Sequence, residues 1–234
     1  MKKGAIASRR LLIACALAAL LSGCFGHSQP TEFYTLSPLP RPAGGAGGAP
    51  GTIVAVYPAV IPAAIDRPQI VTRTAENQIM LSEFNRWGGT LKEEISRILV
   101  ESLGILLADR RVSVMADNLA VDPVYFVAVT FNRFDGRLGD SVWLNAAWTI
   151  RDQKHKKTLA VKTSILQEKI SGPGYAELVA AQSRALGALC REIAAELAGS
   201  LLLGAIHLVK DYGNIDIAIR RQLVAGPSAI EVHA

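Results

Sequence analysis

The sequence predicts an α/β fold: a mixed, largely antiparallel sheet with two main amphipathic helices packed on it, in a single domain. Three long stretches of strand character, Val124 to Phe134, Val142 to Arg151 and Thr158 to Ile170, follow one another with short polar breaks. Two other stretches repeat apolar residues every three or four positions, from Trp87 to Leu107 and from Leu178 to Leu197. Half of the 234 residues are apolar, enough to bury one core of ordinary size.

In chain order, Phe33-Tyr34-Thr35-Leu36 reads as a short strand. Pro38 to Thr52 (PLPRPAGGAGGAPGT) reads as linker, because prolines and then glycines and alanines leave nothing to hold a core. Its GGAGG run is no phosphate loop, since no Lys-Ser/Thr follows it. Ile53 to Tyr57 is an apolar strand stopped by Pro58 and Pro62. Gln69 to Thr74 and Gln78 to Ser82 form a hairpin around Ala75-Glu76-Asn77. In the first helix Leu91, Ile95, Ile98, Leu99, Leu103, Leu106 and Leu107 share one face. Thr90 with Glu93 makes a capping box at its start. Val112 to Met115 is a short strand. The three long strands then form a meander with exposed charged turns at Asp135-Gly136 and at Asp152 to Lys157.

The second helix runs from Gly174 to about Leu203, with Leu178, Leu186, Leu189, Ile193 and Leu197 on one side. Its many alanines and glycines allow close packing on a sheet. Residues 205–234 form a C-terminal extension, in which Ile215, Ile217 and Ile219 alternate with polar or small residues and suggest either an edge strand or a loose tail. The domain proper is therefore 53–204, preceded by a lead and linker over 24–52.

Residues 1–23 have a different character. MKKGAIASRR is basic, LLIACALAALL is apolar, and Ser22-Gly23 precede Cys24. This is the three-part pattern of an export signal. Eleven apolar residues span only about 16 Å as a helix, well short of the roughly 30 Å hydrocarbon core of a bilayer. Without residues 1–23 the formal charge falls from +5 to +1, which removes any compositional case for nucleic-acid binding. Leu21-Ser22-Gly23-Cys24 also resembles the bacterial lipobox, in which the cysteine becomes the lipid-bearing N-terminus. Several acyl chains on one residue give stable anchoring. In that sorting logic an Asp after the cysteine retains a protein in the inner membrane; Phe25 here implies the outer membrane, facing the periplasm. With Cys15 in the signal and Cys24 lipidated, Cys190 is a lone thiol with no disulfide partner.

The sequence contains no HExxH, GxSxG, P-loop or EF-hand pattern. His27, His155, His207 and His233 are too scattered to make a metal site. Cys190 lies beside Leu189 and Ile193 in a helix, the setting of a buried inert thiol and not of a nucleophile. Neither an enzyme nor a cofactor or metal is expected. DRPQIVTR, residues 66–73, is the polar stretch that remains. Pro68 interrupts a strand at its beginning, where proline is tolerated. One reading is an edge strand whose Asp66 pairs with an arginine. The other is a docking surface, because arginine pairs bidentately with carboxylate or phosphate.

FYTLSP (33–38), IDRPQIVTR (65–73) and EFNRWGGTL (83–91), in that order behind a lipobox, resemble the ABC-type transport auxiliary lipoprotein family, which includes paraquat-inducible protein C. LVAAQSRALGALCREIA (178–194) resembles the family's closing helix. The similarity covers roughly residues 33–200, and Gly88-Gly89 departs from the helix formers expected there. The resemblance implies a non-enzymatic outer-membrane component of a lipid transport system. Its partners would be a periplasm-spanning MCE-domain protein and the associated inner-membrane transporter, with a homo-oligomer as a further possibility. Cys24 is then the lipid attachment site. Asp66, Arg67, Gln69, Arg73, Arg86 and Trp87 are the candidate docking residues, Trp87 having a second reading as the first core residue of its helix. A secretion-channel pilotin and an envelope hydrolase are the rival functions.

Overall fold

In the structure, a computed structural model, residues 29–41, 51–117 and 122–224 are described, with side chains as far as residue 202. Eight strands form one mixed sheet: β1 (Glu32–Tyr34), β2 (Thr52–Val56), β3 (Gln69–Ala75), β4 (Gln78–Trp87), β5 (Val112–Ala116), β6 (Tyr125–Gly136), β7 (Ser141–Asp152) and β8 (Lys157–Lys169). The helices are α1 (Leu91–Leu106) and α2 (Tyr175–Val224). The α/β class, the mixed sheet and the two helices expected from periodicity are all present.

β6 is the spine of the sheet. One of its edges pairs with β7, and β7 pairs with β8, both antiparallel. Its other edge is shared between two smaller ribbons. β2 lies parallel to residues 125–127, with β5 parallel outside it, while β3 meets Gly136 and carries β4 and then β1. Alternation along each strand decides which side chains meet the helices. In β7, Val142, Leu144, Ala146, Trp148 and Ile150 are buried, and Trp143, Asn145, Ala147 and Thr149 face away. α1 contributes Leu91, Ile95, Ile98, Leu99 and Leu103 to the core; α2 adds Leu178, Leu186, Leu189, Ile193 and Leu197. Both sets match the helical stripes in the sequence. The Thr90 hydroxyl accepts from the Glu93 amide at 3.3 Å, so the capping threonine satisfies a first-turn donor as expected.

Five details differ from expectation. Asp135-Gly136 is no exposed turn: β6 continues through both residues, which are buried. The turn lies at 137–140, where Gly139 has φ +72° and the Arg137 amide donates to the Ser141 carbonyl at 3.0 Å. Gly136 is tight for another reason, since a Cβ there would lie 2.6 Å from Leu178 Cδ1. Asp152 is likewise buried at the end of β7 and not part of an exposed turn. Burial opposes its charge, but the His155 ring and amide both bond its carboxylate (2.7 and 2.9 Å) and hold its pKa below the ordinary value.

Trp87 closes β4 instead of opening the first helix, because Thr90 caps a helix that begins at Leu91. The opening of the linker, Pro38 to Pro40, is not a bare tether. Leu36 is buried; its carbonyl accepts from Arg97 at 3.0 Å and its amide donates to Glu94. The Ser37 amide donates to Ser183 Oγ, the Leu39 amide to Ser102 Oγ, and the Leu39 side chain sits against Gly187. Residues 36–39 thus strap α1 to α2. Residues 42–50 of the linker lie outside the described residues, as do the signal and Cys24.

Finally, residues 215–219 are helical, within the single α2 that runs to Val224. No proline interrupts 175–224, and extending an existing helix needs no new nucleus, whereas a strand would need a partner edge. Among the described residues no helix is long and apolar enough to cross a membrane.

Candidate docking site

The segment 57–68 leaves β2, turns at its prolines and delivers the chain into β3. The Ile65 and Asp66 amides both donate to the Pro62 carbonyl, and the Arg67 amide donates to that of Ile65. Pro68 has no N–H to give, but its carbonyl accepts from the Trp87 amide at 2.8 Å and so starts the β3–β4 ladder. The proline therefore stands where its missing donor does no harm. β3 is not an edge strand, because β4 lies on one side of it and β6 on the other.

The six candidate residues divide into three kinds. Asp66 and Arg67 are exposed, and neither side chain bonds another among the described residues. Among the described residues Asp66 does not pair with an arginine, as the edge-strand reading would have it. Gln69 and Arg86 are half-buried and face each other across β3 and β4, with Arg86 Nε donating to the Glu83 carbonyl at 3.2 Å. Arg73 and Trp87 belong to the framework. Arg73 donates from Nε and Nη2 to Oδ2 of Asp135 (3.1 and 2.7 Å) and from Nη1 to the Glu76 carbonyl. Hydrogen bonding to Asp135 raises the Arg73 pKa further above its ordinary value. Arg133 takes the other carboxylate oxygen at 2.8 Å and stacks over Trp143, 4.7 Å from the ring centre. Trp87 is 4 % exposed, and its indole N–H has no partner within the described residues.

Beside Asp66 opens a cleft of about 770 Å³ between α1 and the ends of β2 and β5. Val56, Pro58, Val100 and Ala116 supply its apolar surface. Around it stand four carboxylates, Asp66, Glu93, Glu101 and Asp117, and two cations, Lys92 and Arg97. Arg97 is already held by Glu94 (2.8 Å), Glu101 (3.0 Å) and the Leu36 carbonyl. The cleft consequently presents a surplus of negative charge over an apolar floor. Sequence reasoning missed it, because its walls come from four separate segments, and Asp66 and Thr90, the lining residues that lay in family motifs, are far apart in the chain.

Among the described residues no three His, Cys, Asp or Glu side chains converge as metal ligands. Cys190 is fully buried, and burial pushes its thiol up to about 12, far from a thiolate at neutral pH.

Comparison with known proteins places this arrangement. The family model for the ABC-type transport auxiliary lipoprotein component matches residues 34–194. The chain belongs to that family. The match runs from the last residue of β1 to the middle of α2, and so contains the strap, the β3–β4 hairpin and every wall of the cleft. Two crystal structures share the fold of this auxiliary lipoprotein. One, of an uncharacterized protein, is 20% identical with a TM-score of 0.61, covering 72% of this chain and 99% of its own. Another, from Xanthomonas campestris, is 14% identical with a TM-score of 0.59, covering 73% and 98%. No curated protein sequence matches the chain. The family is one of transport components and not a known enzyme family.

Proposed function

We propose that this auxiliary lipoprotein is anchored through Cys24 to the periplasmic side of the outer membrane. There it docks the MCE-domain protein of an intermembrane lipid transport system whose inner-membrane end is an ABC-type transporter. The observation that carries the reading is the family match over 34–194 behind a lipobox at 21–24. Asp66 and Arg67, with Gln69 and Arg86 flanking them, are the docking residues, and the cleft beside Asp66 receives a partner segment that is apolar and cationic. Arg73 and Trp87 brace this surface from behind. Interfacial charge complementarity of this kind sets partner choice and association rate.

The test is co-purification from solubilised membranes. The unsubstituted lipoprotein should recover an MCE-domain protein. Asp66→Lys with Arg67→Glu, which keeps the net charge, should fold normally and lower that recovery by roughly tenfold, about 1.4 kcal/mol. Recovery of a different partner, or no change in the double variant, removes the reading. Anchoring has its own measurement: Cys24→Ala protein should move from the outer-membrane fraction to the soluble periplasm. If it stays with the membrane, lipidation is not what holds it.

A further inference from the structure

β8 closes one side of the sheet. Among the described residues it pairs only with β7, so the other edge of a thirteen-residue strand offers its N–H and C=O groups outward. Natural edges are usually blunted by proline, by shortness or by lysines that spoil pairing. β8 contains no proline, and its mid-strand Lys162 is turned toward α2, where it pairs with Glu196. On the opposite face, which neither helix covers, Val161 and Ile165 are 71% and 76% exposed, more than any other large apolar residue described. Thr163 stands between them. Their neighbours on β7 are Thr149, Ala147 and Asn145, so this part of the face carries no charge. A β-bulge at Leu159 interrupts the strand near its start, but from Ala160 to Lys169 the edge is regular, and a long regular edge with two bare apolar side chains is an interaction surface.

We propose that this edge pairs antiparallel with β8 of a second copy, across a two-fold axis at Thr163. The strand is self-complementary in that register. Val161 lies opposite the partner's Ile165 and Ile165 opposite the partner's Val161, while Thr163 meets itself. Such a contact is isologous and closes with two chains. Slipping by two residues sets Val161 against Thr163 or Gln167, and slipping by one turns every side chain to the wrong face. On the helix side, Lys162 comes opposite the partner's Ser164, whose hydroxyl bonds Glu192, so each lysine gains a carboxylate of the other copy. Beyond the bulge, Lys157 and the partner's Lys169 come near each other at both ends and oppose pairing, in solvent where such charges are screened. About six to eight main-chain hydrogen bonds form between Ala160 and Leu166 of the two copies, within the range of a stable interface of standard size.

The surface shares no residue with the Asp66 cleft, so it stands or falls separately from partner docking. The experiment uses the full-length lipoprotein in its membrane. With Thr163→Cys, mild oxidation should produce a two-chain species on a non-reducing gel. Gln167→Cys lies on the same exposed face but is about 27 Å from its own symmetry mate at about 3.4 Å per residue, and should produce none. The unsubstituted chain is the background control, its Cys190 being buried. Separately, Ile165→Lys should reduce the mass of the detergent-solubilised protein by light scattering from two chains to one. No cross-link at 163, equal cross-links at 163 and 167, or an unchanged mass for Ile165→Lys would each overturn the pairing.

Discussion

Trp148→Ala is expected to destabilise the domain by about 3–5 kcal/mol, the range for deleting a buried tryptophan. Trp148 lies mid-way along β7, only 2% exposed, in the layer that α2 covers. Two effects add. The indole leaves a cavity that flanking β-strands, held by hydrogen bonds on both sides, cannot collapse to fill. The ring also donates from Nε1 to Ser164 Oγ at 2.8 Å, and Ser164 in turn donates to Glu192 on α2. Without the indole, a buried hydroxyl loses its donor in a chain that joins β7, β8 and α2. Trp148→Phe refills most of the volume but not the hydrogen bond, and should cost less, about 1–2 kcal/mol. Urea unfolding followed by far-ultraviolet circular dichroism checks both. If Phe costs as much as Ala, the hydrogen bond matters more than the volume.

The second large effect is expected at Asp135, where Ala should cost about 3 kcal/mol. The carboxylate is 5% exposed and holds two arginines, Arg73 through Oδ2 and Arg133 through Oδ1. Its removal leaves two guanidinium groups facing one another with their shared acceptor gone. Both arginines reach solvent, 23% and 36% exposed, which keeps the cost below that of a fully enclosed pair. For a domain of this size the loss corresponds to a fall in Tm of roughly 6–12 °C. Arg73→Glu should be worse than Asp135→Ala, because it sets one carboxylate against another at a position 5% exposed. A thermal melt of Arg73→Glu indistinguishable from the unsubstituted protein would return Arg73 to the free docking surface.

That contrast shows why DRPQIVTR was legible as a motif and opaque as a mechanism. Its two arginines have the same chemistry in the sequence. In the structure Arg67 is exposed and bonds no other side chain among the described residues, while Arg73 is bonded to an acid 62 residues away. Even that acid was misplaced by local reading: Asp-Gly is a common turn pair, yet at 135–136 the strand continues because the carboxylate is neutralised by Arg73 and Arg133. Trp87 shows the same limit on a shorter scale. It continues the apolar spacing of α1, but the Thr90 cap three residues later starts the helix and leaves the indole at the end of β4. Residues 215–219 alternate over too few positions to outweigh the helix already running into them.

What the sequence by itself determined is everything whose cause is local. Hydrophobic periodicity set the two helices and the core face of each; alternation set the long strands; Thr90 set a helix start; and the order of three short motifs placed the chain in its family. The apolar run and Leu21-Ser22-Gly23-Cys24 carry the expectation of a lipid anchor without reference to any fold. Only the tertiary structure decided which polar residues remain available. It engaged Arg73 and Asp135 with each other, strapped Leu36 and Leu39 across two helices, built a cleft from four separate segments, and left the outer edge of β8 with no strand beside it among the described residues. The physical reason is that periodicity arises from neighbours a few residues apart, whereas the state of a charge or of a sheet edge depends on partners that only folding brings into contact.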